Sequence, residues 1–218
     1  MDERRLREEL CGVGASLFAR GYVHGTAGNI SARLHDGFLV TPTDACLGFL
    51  EPARLAKIDA EGRHLGGDRP SKTLALHRRI YAADASAACV IHTHSTHAVA
   101  LSLAGAWNDD ELVPPITPYF VMKVGHVPRI PYHRPGDPRV ADLVAGRIEA
   151  AARRGVPIRA VMIDRLGPNV WHETPAAAMA VLEELEETAR AWLLAGRAVA
   201  PLDENAIEEL RRAFGARW

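Results

Sequence analysis

The stretch AACVIHTHSTHAVALS, residues 87–102, places three of the protein's ten histidines within six positions. Its first five residues are small or β-branched, which predicts a short buried strand that runs into the histidines. Side chains alternate faces along a strand, so His92 and His94 share a side and can grip one cation. The Ser-Thr pair before His97 suits the start of a helix, so His97 need not share that side. Spacing alone leaves two interpretations open: a metal site, or a polar strand end.

The composition is that of an ordinary globular protein. The chain has 218 residues, 24% of them charged, and a formal net charge of −1, which argues against a nucleic-acid surface. No apolar run approaches the ~20 residues of a membrane span. The charged start, MDERRLREEL, predicts no secretory signal. The three cysteines form no C-x-x-C pair, so we expect a reducing, cytoplasmic location.

Helical and strand patterns are interspersed along the chain. The sequence HDG at 35–37 predicts a hairpin turn between two strands. We expect loops and short strands over 104–136, which is rich in proline. The order of elements predicts a single α/β domain over 1–218, with a sheet covered by helices on both faces. Helices are predicted at 2–20, 71–83 (capped by Ser71), 95–103, 137–155, 174–196 and 203–215. Strands are predicted near 30 and at 37–43, 87–91 and 158–164, and a strand followed by a turn at 55–65.

The loop GTAGN, Gly25 to Asn29, is a candidate anion site. Glycine allows a close approach and unusual φ angles, so such a loop can expose backbone N–H groups to a phosphate. An ordinary tight turn explains the same residues. The loop matches neither the dinucleotide fingerprint nor the P-loop.

Taken together, these segments resemble the class II aldolase/adducin family. GTAGNIS (25–31), TPT (41–43), PSK (70–72) and HTHSTH occur in that family's order and spacing. Within it, GDRPSK, HSTHAVALS and LEELEETA look most like the 3-oxo-tetronate 4-phosphate decarboxylase branch. The resemblance implies a three-layer α/β/α sandwich and a homotetramer with active sites at subunit interfaces. It also implies a divalent metal, zinc or manganese, that stabilises an enediolate.

The resemblance also assigns site residues. His92 and His94 match metal ligands, and Tyr119 matches an acid or base that a neighbouring subunit delivers. A further set matches the substrate and phosphate pocket: Gly28, Asn29, Thr43, Ser71 and, beside it, Lys72.

Three positions depart from the family pattern. Thr73 stands where the resemblance expects a glutamate that is both ligand and proton shuttle, so it inherits the catalytic position. Leu166 stands where it expects the third metal histidine, and Asp44 where it expects a glycine beside the phosphate. Leucine cannot bind a metal, and a threonine hydroxyl is a poor base. The metal site is therefore predicted to be incomplete, and Asp44 to repel a phosphate dianion.

Several side chains are candidates to rebuild the site. Asp164 lies two positions before Leu166 on the predicted strand and is a candidate replacement ligand. Asp44 suits a turn or, alternatively, a cationic substrate amine. The remaining candidates are histidines, each more typical of surface or packing roles: His77, His97, His126 and His133.

The resulting prediction is a lyase, a decarboxylase or aldolase, with an altered site. It would act on a small sugar acid or another keto or hydroxy substrate through an enediolate. Two alternatives stay open: a metal-independent enzyme on the same scaffold that takes a substrate without phosphate, and a non-catalytic binding protein.

Overall fold

The structure is a computed structural model that describes residues 2–218, and its centre is one eight-stranded sheet. The strands lie in the order β4-β3-β2-β1-β5-β8-β7-β6. Neighbours are antiparallel except β6 and β7, which are parallel. The strands are β1 Asn29–Arg33, β2 Gly37–Val40, β3 Ala56–Asp59, β4 His64–Gly66, β5 Cys89–His92, β6 Arg129–Ile130, β7 Ala160–Ile163 and β8 Gly167–His172.

Helices cover both faces of this sheet. Helices α1, α3 and α5 pack on one face with Ile91 of β5, and α2 and α4 pack on the other with Val90. Consecutive residues of β5 thus belong to two separate apolar cores, because side chains alternate between the two faces of a strand. The predicted three-layer α/β/α arrangement is confirmed. The helices are α1 Glu3–Ala19, α2 Leu74–Ala83, α3 Thr96–Ala104, α4 Arg139–Arg153, α5 Pro175–Leu194 and α6 Glu204–Phe214.

Two local predictions need correction. Helix α2 begins at Leu74, with Thr73 at its N-cap and no side-chain cap, rather than being capped by Ser71. The hydroxyl of Ser71 instead lies 2.6 Å from that of Thr73. Strand β8 was not predicted, because its sequence GPNVWH opens with glycine and proline and holds a polar residue among apolar ones. Within residues 2–218, none of the helices combines the length and apolarity that a membrane span requires.

Candidate active site

Strand β5 lies inside the sheet, and its last residue, His92, is flanked by two asparagines. His92 ends β5 and stands opposite Asn29 of β1 on one side and Asn169 of β8 on the other. Residues directly opposite one another in antiparallel strands place their side chains on the same face. The three buried side chains therefore form one row, the Asn–His–Asn row.

The imidazole of His92 is fixed by a backbone carbonyl. Its Nδ1 lies 2.9 Å from the carbonyl oxygen of Pro168. A carbonyl only accepts hydrogen bonds, so Nδ1 carries the proton and Nε2 keeps its lone pair. Burial, and then the charge of His94, lowers the pKa of His92 to about 4. His92 is therefore neutral near pH 7, the form that accepts a hydrogen bond or binds a cation.

The structure brings His94 beside His92, as their spacing predicts. The two ring centroids are 5.0 Å apart, with an edge contact between the rings. Burial, and then the charge of His24 in the loop between α1 and β1, lowers the pKa of His94 as well. Two neutral imidazoles thus meet at the end of β5.

A third histidine, His77 of α2, lies near His92. His77 is fully buried, and its Nδ1 lies 2.7 Å from the hydroxyl of Ser31. Burial, and then the charge of His92, lowers the pKa of His77 to about 3. The packing role expected for His77 agrees with this burial, but the structure also places it close enough to His92 for their charges to interact.

The residues present do not fit a metal ion in the usual way. Leu166 packs against the apolar cluster under α2 and α4, and Thr73 is engaged by Ser71. Among the side chains of residues 2–218, no three or more histidines, cysteines or carboxylates are grouped to hold a metal. A structural zinc site usually has four protein ligands and a catalytic one three. The donor set at His92 and His94 is therefore too small for zinc or manganese held by these side chains alone.

The residues considered as replacement ligands have other partners. β7 ends at Ile163, and both carboxylate oxygens of Asp164 accept from the guanidinium of Arg129, at 2.7 and 3.1 Å. Asp164 is thus held by an ion pair rather than presented to His92. The three other candidates are also engaged: His97 with Glu186, His126 with Glu111, and His133 with the carbonyl of Pro131.

The predicted phosphate segments converge beside His92. Gly28 has φ +85°, and a Cβ there would lie 2.8 Å from the carbonyl oxygen of His92. Only glycine tolerates both conditions. The backbone N–H of Ser71 donates to the carbonyl of Thr41 (3.1 Å), whose own N–H donates to Ile30 (2.9 Å). The segments that carry Gly28, Thr43 and Ser71 therefore meet, while the side chain of Lys72 is exposed.

Asp44 occupies a left-handed backbone position next to this convergence. Its φ is +56°, a region that glycine adopts freely and aspartate tolerates better than most residues. Asp44 and Thr43 line a cavity of about 460 Å³ together with Arg54 and Arg69. Arg54 is already paired with Asp68 at 2.8 Å. This cavity borders the phosphate segments but is not lined by the Asn–His–Asn row.

Tyr119 lies on the segment 104–136, at the N-terminal side of a π-helical turn, Phe120–Val124. Its side chain is 58% exposed. Within residues 2–218 its hydroxyl contacts none of the other predicted site residues through a hydrogen bond. An exposed tyrosine of this kind is free to be presented to a second subunit.

Glutamates of α5 hold the loops around the site, a role that the sequence reasoning missed. Glu186 is buried, and it accepts from the backbone N–H groups of His97 (2.7 Å) and Ala98 (3.0 Å) and from Nδ1 of His97 (2.8 Å). It therefore caps the start of α3. Glu187 accepts from the hydroxyl of Tyr22 at 2.9 Å. The sequence feature that could have identified Glu186 is its position next to Leu185, on the apolar stripe of a helix.

We expect Glu186→Ala to lower the free energy of unfolding by roughly 2–4 kcal/mol. The change leaves three donors of α3 without the charged acceptor that they share, and such hydrogen bonds are worth more than neutral ones. Denaturant unfolding gives the value. The control is Glu187→Ala, which removes a half-exposed carboxylate from the same helix. An equal loss of unfolding free energy in the two variants would show that capping by Glu186 does not stabilise the start of α3.

Comparisons with known proteins agree on one family. Residues 8–193 match the class II aldolase and adducin N-terminal domain. The 3-oxo-tetronate 4-phosphate decarboxylase of Cupriavidus necator is 56% identical, over 99% of each chain. The protein of the same name from Escherichia coli strain K12 is 42% identical, over 96% of each chain. Among solved structures, YgbL of Klebsiella pneumoniae aligns with a TM-score of 0.87 at 42% identity, covering 97% of this chain and 100% of that one. The fuculose-1-phosphate aldolase of Thermus thermophilus gives 0.74 at 26% identity, covering 91% and 99%.

Proposed function

Because the chain belongs to the class II aldolase and adducin family, we propose that it is a carbon–carbon lyase for a small sugar acid or related keto or hydroxy acid. We further propose that its activity has diverged from that of its decarboxylase relatives. The observation that carries this proposal is the contact between the loop Gly25 to Asn29, the candidate anion site, and strand β5, which ends at His92. Gly28 abuts the carbonyl of His92, and Asn29 stands opposite His92 in the sheet. A ligand held by the loop would thus lie beside the imidazole pair.

The loop would bind the acidic end of the substrate. Backbone N–H groups around Gly28, with the hydroxyl of Ser71, provide neutral donors for an anion. Asp44 adds a negative charge beside these segments, but it is exposed, so solvent weakens its repulsion of a dianion. We therefore expect a substrate that carries less charge than a sugar-acid phosphate to compete well for this pocket.

The row would act on the carbon skeleton. Cleavage of a carbon–carbon bond next to a carbonyl leaves an electron pair as an enediolate, which must be stabilised. With its proton on Nδ1, His92 offers a lone pair at Nε2 and can accept the hydrogen of a substrate hydroxyl. The amide N–H of Asn169 is a neutral donor for the developing oxyanion. Neutral donors stabilise such a charge less than a cation does, so a slow reaction is expected with the substrate of the relatives.

The test is a turnover assay on two substrates. Purified protein is incubated with 3-oxo-tetronate 4-phosphate and with 3-oxo-tetronate, with and without added zinc or manganese, and carbon dioxide release is measured. We expect release above the spontaneous rate, and loss of that excess in His92→Ala. Turnover of 3-oxo-tetronate without added metal would identify a metal-independent enzyme that takes a substrate without phosphate. Rates equal to the buffer control under every condition would contradict the lyase proposal and leave a binding protein.

The proposed lyase is expected to be a homotetramer. The exposed Tyr119 serves as an acid or base only if a neighbouring subunit receives it. Analytical ultracentrifugation at micromolar concentration should give about four times the chain mass of 23.7 kDa. A monomer under these conditions would remove the role proposed for Tyr119.

A further inference from the structure

The Asn–His–Asn row holds buried polar atoms that have no partner among residues 2–218. Asn169 is fully buried, and within residues 2–218 neither its amide oxygen nor its amide nitrogen makes a hydrogen bond. The Oδ1 atom of Asn29, on the other side of His92, is also buried without a partner. Buried polar groups are nearly always hydrogen-bonded, so three unpartnered amide atoms in one row call for an explanation.

Packing does not explain the asparagine at position 169. Its neighbour across the sheet on β7 is Val161, and Trp171 lies two residues further along β8 on the same face. Both belong to the apolar cluster under α2 and α4. An aliphatic side chain would suit these surroundings and would leave no unpaired amide. The amide therefore costs stability at this position, which is the pattern expected of a residue kept for a ligand.

The chemistry of the row favours hydroxyl groups over an anion. Nε2 of His92 is an acceptor, and Asn29 and Asn169 each offer one amide acceptor and one amide donor group, whichever way the amides are turned. A hydroxyl both donates and accepts, so it can satisfy either kind of group. An ionised carboxylate or phosphate only accepts, so it would leave the acceptors of the row, Nε2 of His92 among them, without a donor. Neighbouring strands are ~4.8 Å apart, so the backbones of the two asparagines are about 10 Å apart, with His92 between them.

We propose that Asn169 and Asn29 bind the hydroxyl groups of the ligand directly, one from each side of His92. This metal-independent site for a hydroxylated acid rests on the proposed function, because it names how that substrate is held. It also makes Asn169 a residue that determines specificity for hydroxylated over simple keto acids.

The test is Asn169→Leu, which keeps the branch at Cγ and removes both polar atoms, with erythronate 4-phosphate and erythronate as probes. Removing the unpaired amide should raise the melting temperature of the free protein by roughly 2–4 °C. The same change should weaken the calorimetric Kd for both probes roughly tenfold, as expected for the loss of one or two hydrogen bonds. The control is Val170→Ala, on the same strand and the opposite face, which should lower the melting temperature and leave both Kd values unchanged.

The outcomes separate this inference from the proposed function. If the wild type binds a probe and Asn169→Leu binds it equally well, the inference is overturned while the proposed function stands. Asn169→Ala repeats the measurement should leucine prevent folding. If the wild type binds neither probe, both the inference and a hydroxy-acid substrate are overturned.

Discussion

The protein should decarboxylate 3-oxo-tetronate 4-phosphate at least ~100-fold more slowly than the Cupriavidus necator relative under the same conditions. A positioned base typically contributes roughly 10²–10⁴-fold. Here the position at which the resemblance expects that base is Thr73, whose hydroxyl is engaged by Ser71 at 2.6 Å. The position expected to supply the third imidazole is Leu166, which is packed in an apolar cluster.

These losses act on one step, so they should not simply add. The control is the relative itself, assayed with the same substrate preparation and the same metal supplement. Comparable kcat/KM values for the two proteins would mean that Thr73 and Leu166 do not weaken the site. In that case another group, from this chain or from a neighbouring subunit, would have to complete it.

The second large effect concerns acid. We expect the free energy of unfolding, measured with chelator present, to fall steeply between pH 6.5 and 4.5. Burial lowers the pKa of His77 to about 3 and of His92 to about 4, from an ordinary value of 6.5. In this window the unfolded chain binds protons that the folded chain excludes, so stability falls as pH falls. Each histidine contributes about 1.4 kcal/mol per pH unit, and the two together roughly 5 kcal/mol across the window.

A matched pair of variants isolates the histidine contribution. His77→Asn should reduce the slope of stability against pH by about half, because one of the two titrating groups is gone. Ser31→Ala removes the hydrogen bond to His77 at 2.7 Å but keeps the imidazole, so its slope should match the wild type. Equal slopes in the wild type and His77→Asn would show that His77 is not the buried neutral group described above.

The fold was predictable because its signals are local and repeated. Apolar runs such as the one ending at Ile91 and amphipathic helices such as α5 repeat along the chain, and their order predicted a sheet between helices. The hairpin at 35–37 followed from its turn residues, and β1 and β2 do pair across it. Strand β8 was missed because Gly167 and Pro168 resemble a loop. Glycine is required at position 167 because a Cβ there would overlap the carbonyl oxygen of Thr93.

The candidate site was predictable only in part, because much of it depends on long-range contacts. The H-x-H spacing identified His92 and His94, since both lie on one short segment. Asn169 joins them only through the pairing of β5 with β8, and Glu186 reaches α3 across 89 positions of sequence. Neither contact leaves a pattern within its own segment. Single buried polar residues in apolar stretches were the remaining clue.

We propose that the site has diverged from the decarboxylase pattern at Thr73, Leu166 and Asp44, a claim that restoring the expected groups tests directly. The measurement is kcat/KM for 3-oxo-tetronate 4-phosphate with added zinc, comparing the wild type with the combined variant Thr73→Glu, Leu166→His and Asp44→Gly. The predicted result is a gain of at least ~100-fold in the variant, since a base, an imidazole and an uncharged phosphate site return together. A well-folded variant that is no faster than the wild type would contradict the claim.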